Sequence, residues 1–148
     1  MRVNHQAKII TLWGVFLLGT LFHTQLGLMP LFHNQSIALS DAHGTANLSW
    51  ILWGMLGFFA VPMIAMIVTL FDDSRRYRTL HFGVTVLYSV MNFFHLVADL
   101  LVEPIFGYQI ALMGVLLCVG LLLNVVSWQW VQEHMSGKPL RSYDHSVG

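Results

Sequence analysis

Imidazole and carboxylate side chains set into otherwise apolar sequence are the first features of this chain with chemical potential. His95 and Asp99 lie four residues apart within one apolar run, and His23 lies within another. A neutral imidazole is a ready metal ligand, and a carboxylate one helical turn away can fix its tautomer or balance the charge of a bound cation. Ionisable residues inside a span are costly to hold there and are functional candidates by default. His23 and His95 are therefore the expected ligands of a transition metal (Fe, Cu or Zn) or of a single haem b, with Asp99 in support. Glu103, one turn beyond Asp99, and His33, Asp41 and His43 in the connection after the first run extend the same set of imidazoles and carboxylates.

His95 and Asp99 belong to a longer pattern. His81, Thr85, Tyr88, Asn92, His95 and Asp99 recur at intervals of four, three, four, three and four residues, which places all of them on one helical face. A polar stripe of that length is expected to turn to the bundle interior rather than to lipid. For Thr85, Tyr88 and Asn92 the simplest role is an interhelical hydrogen-bonded seam, with Gly120, Asn124 and Ser127 of the last run as natural partners. Counted from the middle of their runs, His23 and His95 fall at one depth, roughly 6 Å outward of the midplane at about 1.5 Å per residue. Gly19 and Gly27 flank His23 on its face, where they could admit a flat cofactor or simply let helices pack.

The fourteen-residue separation of His81 and His95 resembles that on the helix of di-haem cytochromes b that gives one axial histidine to each of two stacked haems. The resemblance covers this one helix. His23 could answer His95, but Ile9 stands where the companion of His81 would lie, so the resemblance implies one outer haem at most. His5, His134 and His145 are expected to be solvated residues of the interface and tail.

Positioning these groups requires long apolar elements. Four runs, about 9–29, 48–71, 80–102 and 105–131, are each long enough to cross about 30 Å of hydrocarbon as helices. Pro30 is expected to close the first, Asp72 to Arg76 to separate the second from the third, and Glu103-Pro104 to turn into the fourth. The fold class expected is all-α: a single four-helix transmembrane bundle over 1–148, with 132–148 as a mobile cytoplasmic tail. All seven Lys and Arg residues fall on one side of this arrangement, which puts both termini in the cytoplasm and the protein in the cell (inner) membrane as a multi-pass chain. Trp50, Trp53 and Tyr108 would mark the outer interface, and Tyr77, Trp128 and Trp130 the inner one.

With 56% hydrophobic and 9% charged residues the lipid bilayer is the expected environment, and the zero formal net charge argues against nucleic acid as a partner. The single Cys118 excludes an internal disulfide and a thiolate cage. No activated nucleophile is visible, so catalysis is not the leading expectation. The outer site suggests redox work, electron transport or metal handling. A cofactor-free accessory or assembly subunit of a larger membrane complex is the alternative, and a proton or small-solute path along the third helix, favoured by a homo-oligomer, is a further one. The topology is testable by cysteine labelling: probes at Asp73 and Ser142 should react from the cytoplasm and one at Ser40 from outside. Labelling of Ser40 and Ser142 from the same side rules out four spans.

Overall fold

The structure, a computed structural model, describes residues 4–34, 48–101 and 106–136. It is all-α, with helices α1 (His5–Phe32), α2 (Leu48–Phe71), α3 (Arg75–Leu101) and α4 (Gly107–Ser136). All four are long and apolar enough to cross a membrane.

Several helix ends fall beyond the apolar runs, each for a local reason. The Asn4 side chain caps α1 by accepting from the Gln6 N–H at 3.3 Å. Pro30 does not close that helix, which continues to Phe32. In the last turn, a missing N–H forfeits only one helical bond, and the chain still closes through His33 N–H to Pro30 O (3.0 Å) and Asn34 N–H to Leu31 O (3.3 Å). Asn34, at φ 57°, then takes the left-handed conformation that ends the helix. α3 begins at Arg75 rather than at residue 80, because Ser74 Oγ accepts from the Tyr77 N–H at 3.2 Å and caps its first turn. α4 runs on through Gln132 and Glu133, both good helix formers, to Ser136.

The contacts define an up-down-up-down order. Trp13 meets His81 and His23 meets His95, so α1 and α3 run parallel. Thr69 of α2 meets both Gln6 and Tyr77, while Trp130 of α4 meets Arg78 and Asn124 meets Ser89, so α2 and α4 run the other way. Lys8, Arg75, Arg76 and Arg78 accordingly gather at one end of the bundle, called the inner end here.

α4 packs against both α3 and α1. Leu116 enters the gap left by Gly19 so closely that a Cβ there would collide with it, so this glycine serves helix packing and not a flat cofactor. Gly120 likewise admits Ser89, whose Oγ would lie 3.0 Å from an added Cβ. The core centres on Trp13, edge-on to Phe16 (5.8 Å) and Tyr88 (5.2 Å), with Ile9, Leu116, Leu123 and Trp130 around it. Trp50, Trp53 and Trp128 are exposed as interface residues should be, but Trp130 is buried. Its ring carries the Arg78 guanidinium at 4.9 Å and its carbonyl accepts from Arg78 Nη1 at 2.6 Å.

α2 is the least buried helix, and hydroxyl bonds tie it to α3. Pro62 sits fully buried in its interior. Proline has no N–H, so the carbonyl four residues back, that of Phe58, loses its helical partner. Tyr88 of α3 donates its hydroxyl to that carbonyl at 2.8 Å. About two turns further in, Tyr77 donates to Ala65 O at 2.6 Å. Tyr88→Phe should therefore lower detergent stability by about 1–2 kcal/mol, the scale of a buried carbonyl left unpaired. In a Pro62→Ala background, which restores the N–H, its cost should fall below about 0.5 kcal/mol, since the carbonyl no longer depends on Tyr88. Equal costs in both backgrounds in a thermal or denaturant melt would contradict this coupling.

Candidate metal centre

The stripe on α3 divides into two regions with opposite character. Its inner part is fully engaged. His81 is 1% exposed, accepts at Nε2 from the Trp13 indole N–H (3.0 Å) and meets Ser127 Oγ through Nδ1 (3.3 Å). Indole nitrogen can only donate, so Nε2 must be the bare nitrogen and Nδ1 carries the proton toward Ser127. Both ring nitrogens are thereby used, and His81 holds α1, α3 and α4 together rather than offering a ligand. Arg78, also buried, bonds through Nη2 (2.7 Å) and Nε (3.1 Å) to Asp73 Oδ1. Thr85 donates to Phe82 O within its own helix, and Ser89 donates to Thr85 O while accepting from Asn124 Nδ2 at 2.9 Å. The seam thus exists, but Asn124 and Ser127 serve Ser89 and His81 rather than Thr85, Tyr88 and Asn92.

The outer part is different. His23 Nε2 and His95 Nε2 lie 3.4 and 3.7 Å from the same atom, Asp99 Oδ2. The two imidazoles meet edge to face with centroids 5.5 Å apart. α1 and α3 bring them together because the helices run parallel and both histidines sit at matching depth, as their spacing suggested. Each of the three residues offers one ligand atom, and these atoms lie within 4.8 Å of one another. Asp99 thus presents one oxygen to both imidazoles.

These groups converge without hydrogen-bonding to each other. Among the described residues, four buried side-chain polar atoms lack a hydrogen-bond partner, and three of them, His23 Nδ1, Asp99 Oδ2 and Asn92 Nδ2, belong to this region. Buried polar atoms are nearly always paired; of these three, Asp99 Oδ2 is the acceptor that a cation or a donor would satisfy, whereas Asn92 Nδ2 is itself a donor. Beside the group lies a cavity of about 250 Å³, lined by His23 and His95 together with Phe16, Thr20, Thr24, Met55, Phe58, Phe59, Met91, Asn92 and Met113. Asn92 therefore borders the site. The side chain of His95 is 56% exposed, against 12% for His23, so the stripe turns fully inward only as far as Asn92.

The remaining expected residues are placed as follows. His33 is exposed at the end of α1, ten residues beyond His23 and thus roughly 15 Å along the axis at about 1.5 Å per residue, which keeps it out of the group. His5 is not merely solvated but pairs with Glu133 at 2.9 Å. The expectations for Asp41, His43, Glu103, His145 and the side chain of His134 fall outside the described residues. Sequence reasoning missed Trp13 and Ser89 as polar partners and the three methionines that line the cavity. Trp13 had a signal, since Ile9 four residues before it and Phe16 three after it mark a buried face, whereas nothing in the sequence singles out Met55, Met91 and Met113.

Compared with protein-family models, with curated proteins and with solved structures, the chain matches none.

Proposed function

We propose that this chain is a multi-pass cell (inner) membrane protein, with both termini cytoplasmic, that binds a transition metal ion between α1 and α3 through His23, His95 and Asp99. The observation carrying this reading is the convergence of two imidazole nitrogens on one carboxylate oxygen with no hydrogen bond among them. The separations of 3.4 and 3.7 Å are close to the edge of a tetrahedron around an ion with bonds of about 2.0–2.2 Å. The orientation is supported by Lys8, Arg75, Arg76 and Arg78 at one end of the bundle.

An ion suits the residues better than a haem. Axial histidines must face each other across the porphyrin plane, whereas both Nε2 atoms here approach one side of Asp99. The adjoining cavity, at about 250 Å³, is below the usual range of about 300–1,000 Å³ for small-molecule sites. With imidazole and carboxylate ligands, metal handling is the role that fits, and electron transport would need a partner to accept the charge. The accessory-subunit reading draws on α2, most of whose apolar residues are exposed and free to meet either lipid or another membrane subunit.

Metal content after purification in mild detergent tests the proposal. Wild type should retain close to one transition metal ion per chain after dialysis. His23→Ala, His95→Ala and Asp99→Asn should each weaken binding by more than about 100-fold, beyond what loss of a merely supporting contact does. His81→Phe should bind metal normally and instead melt earlier. Retention of metal by the His23→Ala/His95→Ala double variant, or none in wild type supplied with Fe, Cu and Zn, refutes the site.

A further inference from the structure

Resting on that metal-binding reading and deepening it, we infer that the ion is monovalent copper, bound at His23, His95 and Asp99 with thioether sulfur supplied from the adjoining cavity by Met55, Met91 and Met113. Two independent observations carry this. The first is the lining itself. Three helices, α2, α3 and α4, each send one methionine to the cavity that His23 and His95 border. Thioether is a soft ligand that favours Cu(I) over Zn(II), Mn(II) and other borderline or hard ions. Met113 is 3% exposed and fixed in the core, whereas Met55 and Met91 are 46% and 44% exposed and have unbranched, adaptable side chains.

The second observation is charge. Asp99 is the only carboxylate among the described residues of the group and the cavity lining. With neutral imidazoles, a monovalent cation on one carboxylate gives a site of zero net charge. A divalent ion leaves one uncompensated positive charge within an apolar bundle, where isolated charge is expensive. The methionine-lined cavity adjoins the group, with His23 and His95 on its wall.

The test measures Cu(I) affinity under anaerobic, reducing conditions by competition with a chromophoric Cu(I) chelator, and Zn(II) affinity in parallel on the same detergent-purified full chain. Wild type should bind Cu(I) at least 100-fold more tightly than Zn(II). Met55→Leu/Met91→Leu should weaken Cu(I) at least tenfold and leave Zn(II) within twofold, and adding Met113→Leu should weaken Cu(I) further. Leu and Met are close in volume, so the fold should survive, and an unchanged melting temperature checks this. X-ray absorption of the Cu(I) protein should contain sulfur scattering that disappears in the triple variant. If wild type prefers Zn(II), or if the triple variant keeps full Cu(I) affinity, the copper inference is overturned while the metal site stands. If neither ion binds, both fall.

Discussion

The helices are apolar inside and largely apolar on their exposed faces, so a buried polar atom needs its partner within the bundle, and this one constraint organises the molecule. Several departures from regular apolar helix are met by a specific partner. Pro62 strips the Phe58 carbonyl of its helical bond and Tyr88 supplies the replacement. The buried guanidinium of Arg78 is closed off by Asp73, the Trp130 carbonyl and the Trp130 ring. The His81 imidazole is saturated by Trp13 and Ser127. These bonds link α1, α2 and α4 to α3, while the main helix packing runs through α4 against α3 and α1.

Against that background the outer group is the exception. The same helix face that satisfies its inner residues so fully leaves Asp99 Oδ2 and Asn92 Nδ2 without hydrogen bonds, beside an equally unpartnered His23 Nδ1. The seam closes most of its bonds, with Asn124 Oδ1 its one unpartnered buried atom among the described residues. Removing the imidazoles and carboxylate to apolar residues would also cost less than keeping them unpaired. Of the three orphans an ion would partner Asp99 Oδ2 alone, since Asn92 Nδ2 is a donor and His23 faces Asp99 through Nε2 rather than Nδ1.

Much of this was legible in the sequence because two periodicities coincide. Apolar run length fixed the four helices, and the three-four spacing from His81 to Asp99 placed the stripe on one face. Equal depth, counted from the run centres, brought His23 to His95, since helices one and three of an alternating bundle must run parallel. What the sequence left open depends on side-chain direction. Asp99 could stand behind His95 or between the two histidines, and only the placement of α1 against α3 decides for the latter. Trp130 reads as an interfacial aromatic until Arg78 is seen to need its ring and carbonyl. The helix ends moved where short-range caps, at Asn4, Ser74 and Asn34, outweighed the limits of the apolar runs. The three methionines were illegible because methionine is an ordinary filler in apolar helices, and only their meeting at one cavity distinguishes them.

The central claim is that two imidazoles and one carboxylate close around a single ion, and its most direct test is the ligand-field spectrum on titration with Co(II), a spectroscopic probe for such sites. The account predicts visible absorption that saturates at one Co(II) per chain, with the intensity of a four-coordinate nitrogen and oxygen site, and that is absent in His23→Ala and in His95→Ala. A weak, unsaturable spectrum of hydrated six-coordinate Co(II) in wild type, or an unchanged spectrum in either histidine variant, would contradict it.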